Sequence, residues 1–170
     1  DDNAPPTSTG GAVTGTEDTA HVFSWAQFNV ADVDGGPAPG VRIGSLPADG
    51  TLQYFNGTSW VAATVNQVVT QTDIAAGRLR FMPDLHESGI NGYGGSGTGN
   101  RQADYAAFNY APVDGSAVNG AGATASMRID IAPVADAPTL SFTAGTPVHH
   151  TMITVDGGPA SGGFLIIDGV

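Results

Sequence analysis

An all-β sandwich is the fold class this sequence predicts, and three observations predict it. No stretch carries a convincing amphipathic helix period. Turn formers are dense, with 25 glycines and 11 prolines in 170 residues. Between them lie short apolar runs, several alternating apolar and polar residues, as half-buried strands do.

The expected strands follow in order. Residues 20–25 place Phe23 and Trp25 on one face by period two. Val41-Arg42-Ile43-Gly44-Ser45-Leu46 alternates across a strand over 41–46. Residues 51–55 form the next, bracketed by the turn signals Asp49-Gly50 and Asn56-Gly57. Strands at 67–70 and 78–82 flank 71–77, which suits one helical turn capped by Thr72 or Asp73. Strands at 105–111 and 124–131 complete the set. The expected core is Phe23, Val41, Ile43, Leu46, Leu52, Leu79, Phe81, Phe108, Tyr110, Met127 and Ile129. Residues 87–100 are rich in Gly and Ser and read as a long loop. After Pro138, strand-like runs at 139–142, 149–155 and 164–167 are too few for a domain. They read as a C-terminal extension or the start of a next module.

Composition narrows the function. The hydrophobic content of 41% is enough for a core, and the formal net charge is -11. All five basic residues are arginines, and nothing resembles a basic groove, which argues against nucleic acid. An anionic membrane surface would repel the chain, and no apolar span is present. Cysteine is absent, so neither disulfides nor thiolate metal sites are available. Charged residues are only 12% of the chain, so acidity is concentrated at a few places. Short aspartates in loops suit a hard cation such as calcium. No nucleophile elbow, zinc-binding His-Glu-x-x-His or paired catalytic carboxylates appear, and the chain is not read as an enzyme. The adjacent His149 and His150 would point to opposite faces of a strand, a poor geometry for a shared metal. Trp60 follows a turn and is the better exposed candidate for a sugar platform.

Two tetrads mark the ends of the main unit. Asp2-Asn3-Ala4-Pro5 can be laid over Ala135-Asp136-Ala137-Pro138, with Asn3 and Asp136 separated by 133 residues. Each joins oxygen ligands to a proline that stiffens the chain. This is the pattern expected at a joint between tandem modules. It divides the chain into residues 1–138, with a linker at 1–9, and an extension at 139–170.

The strongest local cation candidate is Asp32-Val33-Asp34-Gly35. Aspartates two apart can aim both carboxylates at one ion, and the Asp1-Asp2-Asn3 segment could reach the same pole. Calcium takes six to eight oxygens, so ligands from separate loops would have to converge.

Further motifs line up in a consistent order: Asn3-Ala4-Pro5, Glu17-Asp18-Thr19, Asp32-Val33-Asp34-Gly35, Ser45-Leu46-Pro47 with Gly50-Thr51-Leu52, Phe81-Met82-Pro83, and Phe108-Asn109-Tyr110 with Asp114-Gly115. In this the chain resembles the bacterial cadherin-like repeats of large surface adhesins, including those exported by type I secretion. The resemblance implies an Ig-like Greek-key β-sandwich, calcium at the joints, and a spacer role in cell adhesion and biofilm on the bacterial surface. It implies that Glu17 and Asp18 face the outgoing joint with Asp104 and Asp136. Asp104 lies four residues before Phe108, whereas many such repeats carry an Asp two before. The expected calcium ligands are Asp2, Asn3, Glu17, Asp32, Asp34, Asp104 and Asp136. The expected partners are neighbouring modules of the same chain, around a monomeric unit, with host or surface glycans and proteins reached through other modules. The alternative is a ligand-binding module that takes a glycan or peptide through the Gly-rich loop.

Overall fold

The computed structural model describes residues 3–90, 100–101 and 103–135. Within them the protein is β-rich with little helix. Strands run in the order β1 (Thr7–Ser8), β2 (Gly11–Thr16), β3 (His21–Val22), β4 (Val30–Ala31), β5 (Gly40–Ile43), β6 (Thr51–Phe55), β7 (Trp60–Ala62), β8 (Val68–Thr70), β9 (Leu79–Met82), β10 (Ser88–Gly89), β11 (Asn100–Arg101), β12 (Ala106–Val113) and β13 (Ala125–Ala132). A 3₁₀ turn, Trp25–Phe28, and a short helix α1, Gln71–Ala75, interrupt them.

The larger sheet has seven strands. Its path is β11-β10-β13-β12-β5-β8, with β2 added to β13. β12 pairs antiparallel with β13 (Phe108 opposite Met127) and with β5 (Tyr110 opposite Ile43). β2 runs parallel to β13 over six register pairs, from Gly11 opposite Met127 to Thr16 opposite Ala132. The second sheet is β3-β9-β6-β7, and β1 pairs with β4 beside the two. Inward residues of both sheets meet in one cluster. Val41, Ile43, Phe108, Tyr110, Met127 and Ile129 come from the larger sheet; Leu52, Leu79 and Phe81 come from the smaller. Alternation is the cause: in Met127-Arg128-Ile129-Asp130-Ile131 every second side chain is buried.

Aromatic rings fill the centre. Phe108 packs edge-on to Phe23 at 5.8 Å, and Phe28 packs edge-on to Tyr110 at 5.1 Å between ring centroids. The Tyr110 hydroxyl donates to the Phe28 carbonyl at 2.6 Å and lies 2.8 Å from Ser8 Oγ. Ser8 Oγ also donates to the Phe28 carbonyl, at 2.7 Å. The phenol therefore ties β1 and the end of the 3₁₀ turn to the core.

Several expectations need correction. Residues 20–25 are strand only at His21–Val22. Ser24 ends the extended run, because its backbone N–H donates to Gln27 Oε1 at 2.9 Å and turns the chain into the 3₁₀ segment. Leu46 is 44% exposed, not core. It lies three residues beyond the buried Ile43 and past the end of β5, so period two already places it on the outer face. The cap of α1 is Thr70, whose Oγ1 accepts from Asp73 N at 3.1 Å, rather than Thr72 or Asp73. The strands β1, β2, β4, β7, β10 and β11 are additions to the expected set. The runs at 139–142, 149–155 and 164–167, and most of the Gly-rich loop, lie outside the described residues.

Candidate functional site

Two ends of the fold gather carboxylates around the chain. At the incoming end, Asn3 Nδ2 donates to Asp114 Oδ2 at 2.9 Å and to the Val118 carbonyl at 3.1 Å. Asn119 Nδ2 donates to the Asn3 carbonyl at 3.1 Å, and Ala4 N donates to Asp34 Oδ2 at 2.6 Å. Asp32 shapes its own loop: Oδ1 accepts from Asp34 N at 3.1 Å and Oδ2 from Gly36 N at 3.0 Å. A Cβ on Gly36 would collide with Asp114, so glycine is required where this loop crosses. The result is a clasp that holds residues 3–4 against the loops at 32–36 and 114–119.

Asp114 is the anchor of this clasp and is fully buried. The Asp-Gly pair reads in sequence as a plain hairpin turn, and burial of its carboxylate is the part that reading lacks. The Asn3 amide, then the Ser116 backbone N–H, hold its pKa below the ordinary carboxylate value, while burial opposes them. A depressed carboxylate stabilises the fold above its unfolded pKa of about 3.9, and the contribution is lost as pH falls through the folded value. The melting temperature is therefore expected to drop on acidification below about pH 4. Asp114→Asn is expected to lower the melting temperature at pH 7 by several degrees and to flatten that acid limb. Thermal melts across pH check it, and parallel acid limbs for the two proteins would refute it.

At the outgoing end, Glu17 is 2% exposed. Its backbone N–H donates to the Ala132 carbonyl at 2.9 Å, and its Oε2 accepts from Val134 N at 2.7 Å. Asp18, at φ 58°, accepts from His86 N at 2.8 Å, with His86 Nδ1 3.3 Å from its other oxygen. Glu17, Asp18 and His86 each offer one ligand atom, all within 4.8 Å of one another. Among the described residues this is the place where three such side chains converge. In sequence His86 stands isolated and reads as a structural or solvent-exposed histidine; its signal as a member of this group is the acidic neighbourhood Asp84-Leu85-His86-Glu87 after β9. Two carboxylates suit calcium, but an imidazole nitrogen suits softer ions, and three ligands fall short of a calcium shell. The arrangement can hold a cation without being specific for calcium.

The other expected ligands divide. Asn3, Asp32 and Asp34 sit together at the incoming end and spend oxygens on backbone and side-chain hydrogen bonds. Asp104 does not belong to the Glu17 group. It faces β13, with Arg128 Nη1 at 4.0 Å from its Oδ2 and the Asp130 carboxyl close enough to interact with it. Burial first, then the neighbouring Asp104 carboxylate, raise the Asp130 pKa. Asp2 and Asp136 lie outside the described residues. Trp60 is only partly exposed, and the Arg80 guanidinium stacks 4.0 Å over its ring while donating to Gln53 at 2.8 Å. One face of the indole is thus covered by a side chain of the same sheet.

Comparison with protein-family models, curated proteins and solved structures gave no match.

Proposed function

We propose that this chain is a Greek-key, Ig-like β-sandwich that serves as a calcium-stiffened spacer module of a large bacterial surface adhesin. The single observation carrying the reading is that carboxylates grip the polypeptide at both ends of the unit. Asp34 and Asp114 hold the incoming residues 3–4, and Glu17 holds the outgoing Val134. A module whose incoming and outgoing segments are fixed has a defined direction, which is what a spacer requires. Its partners are then the neighbouring modules of the same chain, outside the cell. Calcium at the outgoing joint would draw on Glu17 and Asp18, with further oxygens from the linker and the next module. The ion supplies charge neutralisation between carboxylates that otherwise repel.

The test is a melt of a polypeptide carrying both neighbouring modules, with calcium and with chelator. Binding to the folded state alone stabilises by about 2.7 kcal/mol at a hundredfold excess over Kd. Millimolar calcium is expected to raise the melting temperature by several degrees. Asp18→Ala, which removes a ligand at the outgoing joint, is expected to blunt the response, and Asp49→Ala to leave it intact. A melting curve indifferent to calcium defeats the reading.

A further inference from the structure

The first long strand and the last one lie side by side and point the same way. β2 enters the ladder at Gly11, opposite Met127, and β13 leaves it at Ala132, opposite Thr16. A pull between the two ends of the unit draws β2 backward and β13 forward. The ladder bonds then lie across the direction of sliding and share the load, whereas a hairpin pulled at its open end gives way one bond at a time.

The ladder does not stop at β2. Glu17 N continues it onto the Ala132 carbonyl, and the Glu17 carboxylate takes Val134 N at 2.7 Å. This last bond is charge-assisted and part-buried, made from the buried Glu17 to the half-exposed Val134 just beyond β13. On the incoming side, the load reaches the Asn3 clasp and the two pairs of β1 with β4 before it arrives at Gly11.

We infer that β2 and β13 form a tension-bearing shear clamp and that Glu17 is its lock, a positioning residue whose carboxylate stops Val134 from peeling away. The inference rests on the spacer reading only for the direction of pull. It assigns Glu17 a task that needs no metal ion.

The experiment is force spectroscopy on the single unit held by its two ends, in chelator throughout. Glu17→Ala is expected to unfold roughly ten-fold faster at a given force, the rate equivalent of one hydrogen bond to a charged group. Glu17→Gln keeps an acceptor oxygen and is expected to recover most of the loss, and it remains measurable if the alanine variant fails to fold. Leu79→Ala, in the other sheet, is expected to lower thermal stability more than Glu17→Ala while changing the forced rate less. An unchanged forced rate in Glu17→Ala, a Gln variant no better than Ala, or forced rates that merely follow thermal stability would each overturn the clamp. Because calcium is absent, these outcomes are independent of the melts that test the spacer reading.

Discussion

Phe108→Ala is expected to cost about 3–5 kcal/mol, the range for emptying a buried aromatic site. Phe108 is 1% exposed and touches the rings of Phe23, Phe28 and Tyr110. Phe23 and Phe28 come from the stretch between β3 and β4, and Tyr110 from Phe108's own strand, each held by contacts of its own, so none can collapse into the space without breaking them. Net stabilities of domains this size are about 5–15 kcal/mol, and the loss would consume a large fraction. Chemical denaturation gives the number. A loss under about 1 kcal/mol would mean that Phe108 is not the keystone of the cluster.

Tyr110→Phe is the second large effect, and it removes a single oxygen. Burial raises the Tyr110 pKa, so the phenol stays protonated and remains a donor across the ordinary pH range. Its hydroxyl occupies the Phe28 carbonyl at 2.6 Å and contacts Ser8 Oγ at 2.8 Å. Deleting it weakens the satisfaction of a buried carbonyl, at a cost of about 1–3 kcal/mol. Ser8→Ala removes the other donor to the same carbonyl. The double variant is expected to cost more than the sum of the two, because the carbonyl then loses both partners. Additive costs in that double-mutant cycle would show that the two hydroxyls act separately.

The sequence made the strong strands legible and hid the weak ones. Thr51–Phe55, Leu79–Met82 and Ala125–Ala132 announce themselves because large apolar residues alternate with polar ones and turn formers bracket them. β2 reads Gly-Ala-Val-Thr-Gly-Thr, with Val13 its one large apolar residue, and its place is set by the partner β13 rather than by its own pattern. Leu46 misleads for a different reason: it is large and apolar, but its odd spacing from Val41 and Ile43 puts it on the outer face. At the candidate site, acidic residues were visible but their partners were not. Asp104 turning to Asp130 and Arg128, and Asp114 sinking beneath Asn3, are decided by residues distant in sequence.

The parallel pairing of β2 with β13 also sets a clock. Gly11 and Met127, opposite one another in the ladder, are 116 positions apart in the chain. Loop closure over such a distance comes late. On a ribosome adding about 5–20 residues per second, β2 waits roughly 6–23 s before its partner has been made. Throughout that interval its backbone donors and acceptors have no ladder to join, and an unpaired strand invites pairing with other chains. The small, weakly apolar residues that hide β2 in the sequence give a wandering neighbour little to hold, so the nascent chain can keep this strand idle until the last one arrives.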